Sequence, residues 1–275
     1  MIDSPSVPVV MVFAGTDPTG GAGIQADIET LAGMGCHAAP VVTAVTVQDT
    51  ERLIHFQAME PTLLIEQARA VLEDIPVSAF KIGMIGSAEN AEAIQSILLD
   101  YPDLPVVLDP LISAGGGGEL ANDELVDAMV NLLFPLTTVL TPNSEEARAF
   151  APEADTLDAC AQELLELGSE HILITGSHEN TPHVVNRLYT ENRLLESYTW
   201  DRLPGSFHGT GCTLAAAITG LLAQGLPITT AVLEAQEFTW ESLNNGYRIG
   251  MGQHIPNRLF WAHGDDQHDE PQQLH

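Results

Sequence analysis

The chain has 275 residues, with 38 acidic side chains against nine basic ones, a formal charge of −29 at pH 7 and a single lysine, Lys81. A surface of this sign repels nucleic acid and anionic membrane alike, so both are excluded as partners. Hydrophobic residues make up 45% of the chain and aromatics only 5%, a balance that suits parallel strands buried beneath helices.

The length allows one large α/β domain, here residues 1–262, followed by a polar, acidic tail over 263–275 that reads as disordered. The histidines of that tail, His263, His268 and His275, match no metal-ligand spacing. Three cysteines, Cys36, Cys160 and Cys212, form no disulfide framework. The start, Met1-Ile2-Asp3-Ser4-Pro5, lacks the basic region of a secretory signal, and the apolar runs are too short or interrupted for a membrane span, so a cytoplasmic location is expected. The acidity also suits the solvated surface of a salt-adapted protein.

In chain order, residues 7–14 are a continuous apolar run ending at Gly15, the pattern of a buried strand. An amphipathic helix follows over 24–34, then a Val/Thr/Ala strand over 39–47 and a helix over 62–72 with apolar residues at Leu64, Ile65, Ala68 and Leu72. A short strand is expected at 79–82, a helix at 88–99, a strand at 106–108, a helix at 123–133 and a strand at 138–140. Helices over 144–150 and 157–167 lead into a strand at 171–175. Residues 184–189 and 194–200 form an antiparallel hairpin, and helices from Cys212 onward and from 229 to about 247 close the domain. Repeated strand–helix alternation specifies an α/β fold with a mainly parallel central sheet, an antiparallel edge hairpin and helices on both faces.

In such a sheet the loops after the strand C-termini make the ligand crevice. The richest is Phe207-His208-Gly209-Thr210-Gly211-Cys212-Thr213, a glycine loop that opens into a helix. Its free N–H groups and the helix dipole make it a seat for phosphate, and the position of Cys212 in the first turn leads one to expect a lowered thiol pKa. Cys212 is equally well read as a small buried hydrophobe.

A second glycine segment, Gly20-Gly21-Ala22-Gly23, follows the first strand, with Asp27 one turn into the next helix. Glycine lets backbone approach a ligand closely, yet no lysine follows as in a phosphate loop, and a plain tight turn reads equally well. Asp109-Pro110 ends a strand, where a carboxylate suits metal–phosphate chemistry or a turn, and the four-glycine loop 115–118 after it is either a lid or a connection. In Thr141-Pro142-Asn143-Ser144-Glu145-Glu146, Asn143 is a helix cap, or Asn143 and Glu146 are outer oxygen ligands of Mg²⁺.

Taken together, these segments resemble the hydroxymethylpyrimidine/phosphomethylpyrimidine kinases of thiamine biosynthesis, members of the ribokinase-like superfamily. The resemblance runs from Gly15-Thr16-Asp17-Pro18-Thr19-Gly20-Gly21-Ala22-Gly23, through Thr46-Val47-Gln48-Asp49, Lys81-Ile82-Gly83-Met84, Asp109-Pro110 and Asn143-Ser144-Glu145-Glu146, to Gly209-Thr210-Gly211-Cys212, spanning residues from about 8 to 250. It implies a three-layer α/β/α fold, ATP as co-substrate, Mg²⁺, a homodimer, and phosphorylation of the pyrimidine's hydroxymethyl oxygen and then of the monophosphate.

By that resemblance Gly15, Gln48, Met84 and Leu111 hold the pyrimidine, with Asp27 and Cys212 near its hydroxymethyl group. Gly209, Thr210, Gly211 and Cys212 form the anion hole. Thr175, Asn143, Gly209 and Gly211 face the nucleotide, and Asp109, Asn143 and Glu146 face the metal. Cys212 would position or deprotonate the hydroxyl. The chain departs from the pattern where Thr175 replaces a lysine near the nucleotide phosphates, and in the glycine loop after Asp109-Pro110. Those losses bear on the second phosphorylation. A pyridoxal/pyridoxine kinase of the same superfamily and a non-catalytic binder of a phosphorylated metabolite are the alternative readings.

Overall fold

The computed structural model describes residues 7–113, 118, 120–191 and 193–262. The tail from 263 and glycines 115–117 lie outside the described residues. Strand β1 (Val9–Gly15) is buried along its whole length and leads through the first glycine loop into α1 (Gly23–Gly33). β2 (His37–Gln48) and β3 (Leu53–Ala58) precede α2 (Pro61–Leu72). Then come β4 (Ala79–Ile82), α3 (Ala88–Leu98), β5 (Val106–Leu108) and α4 (Asp123–Ala128), whose last turn widens to π geometry over Met129–Leu133. β6 (Val139–Leu140), α5 (Ser144–Phe150), α6 (Leu157–Glu166) and β7 (His171–Ile174) continue the alternation. The hairpin β8 (His183–Thr190) and β9 (Arg193–Asp201) is followed by α7 (Thr210–Ala223) and α8 (Ile228–Asn244).

The nine strands form one sheet in the order β3-β2-β1-β4-β5-β6-β7-β8-β9. β2, β1, β4, β5, β6 and β7 are parallel neighbours, whereas β3 pairs antiparallel on one edge and the β8–β9 hairpin on the other. The α/β reading from sequence therefore holds, with one addition, the edge strand β3. Its residues are half-buried or exposed on both faces, so no alternation marks it, and its order comes from pairing to β2.

Strand side chains alternate between the two covering layers, as the strand period of two requires. Met11, Phe13, Phe80, Ile82, Leu108, Leu140 and Ile172 pack beneath α2 to α6, against Leu64, Ile94, Leu125, Ala147 and Leu164. On the opposite face Val10 and Val12 pack with Leu31 of α1, and Val107, Val139 and Leu173 with Leu214, Ile218 and Val232 of α7 and α8. The parallel strands therefore end on one edge, which brings Gly15, Lys81, Asp109, Thr141 and Thr175 to the same rim.

Helix ends differ in a way that matters there. Ser87, Asn122, Asn143 and Thr156 cap α3, α4, α5 and α6 through their side chains. α1 and α7, which begin at the two glycine loops, have no side-chain cap; the first N–H of α1, on Gly23, bonds to Cys212, while the start of α7 lies at the crevice.

Candidate active site

One cavity of about 730 Å³ runs along this rim. Gly15, Gln48, Met84, Leu111, Asp109, Asn143, Glu146, Thr175 and the Gly209–Cys212 loop all line it. The residues singled out from sequence thus converge, except Asp27. Its carboxylate is fully buried behind the wall and bonded to Lys81, 3.0 Å away, instead of opening to the crevice.

Two glycines are dictated by close approach. Gly23 (φ +60) turns the chain into α1 with its Cα pressed on the carbonyl oxygen of Gly15, and a side chain there would collide with that backbone. Gly209 (φ +86), the N-cap residue of α7, packs equally hard on the carbonyl of Gly21. Only glycine combines left-handed backbone with such contact at no steric cost. The two loops are therefore docked on each other.

Polar side chains lock that docking, and none of them is apparent from the sequence pattern. Asp17 accepts from Thr19 N at 2.8 Å, from Ala22 N at 2.7 Å and from His208 Nε2 at 3.0 Å. Burial alone would raise Asp17, but the bonds from His208 and Thr19 hold its carboxyl below its ordinary value. Arg258 is buried. Its guanidinium donates to the Gly21 carbonyl, to Thr213 Oγ1 at 2.9 Å and to Glu29 at 3.2 Å. Arg258 thereby ties the first glycine loop and α1 to the start of α7 from a position 45 residues downstream of Thr213.

At one end, Met84 Sδ would lie 2.8 Å from a Cβ on Gly15, so the thioether occupies the space that Gly15 leaves free. Met84, Ala44 and Leu120 form a small apolar cluster with Leu111, Leu53 and Phe56 beside it. Gln48 Nε2 donates to Thr46 Oγ1 at 2.9 Å, which itself donates to the Thr16 carbonyl at 2.7 Å. An apolar wall with one amide edge fits a flat, polar-edged heteroaromatic ring.

In the middle, the Asp109 carboxylate packs against Gly211, with Oδ2 at 3.4 Å from a Cβ built there. That oxygen is buried and has no hydrogen-bond partner, and burial pushes the Asp109 pKa up to about 6. Burial and the Asp109 charge push Glu146 up to about 8. Two crowded carboxyl groups with an orphaned oxygen are a place for a hard cation. Among the described residues no cluster of three or more His, Cys, Asp or Glu side chains is arranged to hold a metal alone, so ligand oxygens would have to complete the shell.

Asn143 is already engaged. Its Oδ1 accepts from Glu145 N at 2.8 Å and Glu146 N at 2.9 Å, while Glu146 Oε2 accepts from Asn143 N at 2.9 Å. This is a capping box, and it positions Glu146 instead of leaving the Asn143 oxygen free.

Cys212 corrects the expectation of an acidic thiol. Burial pushes it up to about 11. The Lys81 charge pulls the other way, and Asp27 and Asp109 reinforce the rise. The helix N-terminus is present, but the surroundings are anionic and dry, so the group is a neutral thiol at physiological pH. Burial opposes the charge on Lys81 as well, but Asp27, Cys212 and Asp109 outweigh it, and the lysine stays an ammonium above its ordinary pKa.

The phosphomethylpyrimidine kinase family model matches residues 17–257, nearly the whole described chain. The chain belongs to this family. The hydroxymethylpyrimidine/phosphomethylpyrimidine kinase of Staphylococcus aureus is 31% identical over 95% of this chain and 97% of its own length. The thiamine biosynthesis bifunctional protein of Geobacter sulfurreducens is 34% identical over 92% of this chain, which spans about half (52%) of that longer protein. Among solved structures, the phosphomethylpyrimidine kinase of Clostridium difficile superposes with a TM-score of 0.75 at 32% identity, covering 86% of this chain and all of that one. An ADP complex of Bacillus subtilis pyridoxal kinase superposes with a TM-score of 0.84 at 26% identity, covering 94% and 100%.

Within the phosphomethylpyrimidine kinase fold, then, the two glycine loops, the apolar ring wall and the carboxyl pair occupy a single cavity. No helix among the described residues is long and apolar enough to cross a membrane.

Proposed function

We propose that this chain transfers the γ-phosphoryl group of ATP to the hydroxymethyl oxygen of 4-amino-5-hydroxymethyl-2-methylpyrimidine, and then to the resulting monophosphate, in thiamine biosynthesis. The observation that carries the proposal is the meeting, in one cavity, of the uncapped α7 N-terminus with the Gly15–Gln48–Met84 ring site. The names of the relatives that match most of this chain supply the substrate.

In this reading Met84 and Leu111 cover the faces of the pyrimidine, and Gly15 and Gln48 read its polar edge. The hydroxymethyl group points toward Cys212. The N–H groups of Thr210, Gly211 and Cys212, with the dipole of α7, hold the transferring phosphoryl group. Phosphoryl transfer depends on positioning and charge stabilisation, which suits a chain with one lysine. Cys212, neutral to about pH 11, orients the hydroxyl instead of deprotonating it.

Asp109 and Glu146 would hold Mg²⁺ together with nucleotide oxygens, and Asn143 would set Glu146 in place. The bound ion would neutralise charge on the phosphates. A second copy of the chain is the expected partner. The outward valines of β2, Val45 and Val47, are 47% and 43% exposed and give such a contact an apolar start. A cytoplasmic setting agrees with three free, buried cysteines.

One observation favours a second reading, pyridoxal phosphorylation: the backbone likeness to the pyridoxal kinase of Bacillus subtilis. A coupled assay of ADP release with ATP and Mg²⁺, run with the hydroxymethylpyrimidine and with pyridoxal, separates them. The proposal expects the higher kcat/KM on the pyrimidine. A preference for pyridoxal supports the second reading, and no turnover with either leaves a non-catalytic binder.

A further inference from the structure

Of the nine basic side chains, only Lys81 and Arg202 lie on the cavity wall among the described residues. Lys81 is fully buried and already balanced by Asp27. Arg202, just past the end of β9, is exposed at the rim and has no ion-pair partner among the described residues. Its guanidinium is held by main-chain carbonyls: Nη1 donates to Ser177 at 2.7 Å, Nη2 to Glu179 at 2.8 Å and Nε to Thr181 at 3.0 Å.

The Glu179 carboxylate pairs with Arg148 at 2.7 Å, and Asp201 faces His183 at 3.3 Å. A guanidinium carries five N–H groups, so two remain after these bonds. The loop it grips begins immediately after Thr175, and Thr175, Ser177 and His178 line the same cavity. The position where a neutral threonine stands is therefore served by an un-neutralised cation gripping the adjacent loop.

We propose that Arg202 contacts the nucleotide phosphates, supplying the positive charge that position 175 lacks. This rests on the kinase reading above. Planar, bidentate donation suits phosphate oxygens, and the three carbonyl bonds pre-set the fork so that little side-chain freedom is lost on binding.

The test is calorimetric titration of ADP and of adenosine into the wild-type protein and its Arg202→Gln and Arg202→Lys variants, with thermal melting in parallel. Glutamine keeps two N–H donors but removes the charge, and lysine restores the charge without the fork. ADP affinity should fall about tenfold in Arg202→Gln, equivalent to about 1.4 kcal/mol, and recover in part in Arg202→Lys, while adenosine affinity stays level. Equal loss for both ligands would reduce Arg202 to a loop brace and overturn the proposal, as would unchanged ADP affinity in a folded Arg202→Gln protein. Wild-type protein that failed to bind ADP at all would overturn the kinase reading itself.

Discussion

Lys81 Nζ lies 3.0 Å from Asp27 Oδ2, with neither side chain exposed to solvent. The Cys212 thiol and the Asp109 carboxyl are its other charged or ionisable neighbours. The chain's one lysine thus serves as the buried counter-charge of an acidic cluster at the cavity wall. Asp27 Oδ1 and Asp109 Oδ2 are both left without hydrogen bonds, and the Arg258 charge acts on Asp27 beside that of Lys81.

Removing only one partner of this pair strands a charge. Lys81→Met should cost about 3–5 kcal/mol of stability, read as a lower midpoint in urea. The double variant Lys81→Met/Asp27→Asn should recover most of that stability, since neither charge remains, while kcat stays well below wild type. A double variant with wild-type kcat would show that the pair only supports the fold.

Cys212 should behave as a hidden, neutral thiol. At pH 8 its alkylation by iodoacetamide should be far slower than that of a small-molecule thiol, because only 7% of the residue is exposed and its pKa is pushed up to about 11. Cys212→Ser, which keeps a hydroxyl donor, should retain more turnover than Cys212→Ala. Rapid modification at pH 7 together with equal kcat in both variants would remove the positioning role.

The α/β alternation, the two glycine loops and Cys212 at the start of a helix were legible from local pattern, apolar runs and glycine spacing after strand ends, whereas Gly15, Gln48 and Met84 followed only from the family resemblance. The locks were not legible. Asp17–His208 joins residues 191 positions apart, and Arg258 reaches Gly21 across 237. Nothing local marks an aspartate or arginine as having such a partner. The direction of the thiol shift is hidden from the sequence for a similar reason. A first-turn position is visible in sequence, but the surrounding acids come from α1 and from the residue that follows β5.

Acidity at the carboxyl pair sets a pH dependence. Asp109 and Glu146 are raised from 3.8 and 4.5 to about 6 and about 8, so the folded state binds more protons than the unfolded chain across that interval. Their contribution is complete below the unfolded values and is lost as pH rises through the folded ones. Melting of the ligand-free wild type compared with Asp109→Asn/Glu146→Gln should show a steeper decline between pH 5 and pH 8 for wild type. The stabilisation given by Mg²⁺ with ADP should be larger at the high end of that range. Parallel curves for the two proteins would contradict the crowding of these carboxyl groups.

Gly209→Ala places a methyl group on the Gly21 carbonyl at a left-handed backbone position. The loops must then separate. A displacement of about 1 Å at the anion hole should lower kcat about a hundredfold, whereas Gly225→Ala, also at positive φ but with open space around it, should cost stability and leave kcat unchanged. Similar kcat for the two variants would uncouple loop docking from catalysis.

The most direct measurement of the central claim is a mass-spectrometric time course of the purified protein with ATP, Mg²⁺ and 4-amino-5-hydroxymethyl-2-methylpyrimidine. The account predicts that the pyrimidine gains one phosphoryl group, that the diphosphate then accumulates, and that Gly209→Ala suppresses both steps. A pyrimidine that remains unphosphorylated while the protein is folded and binds ATP would contradict it.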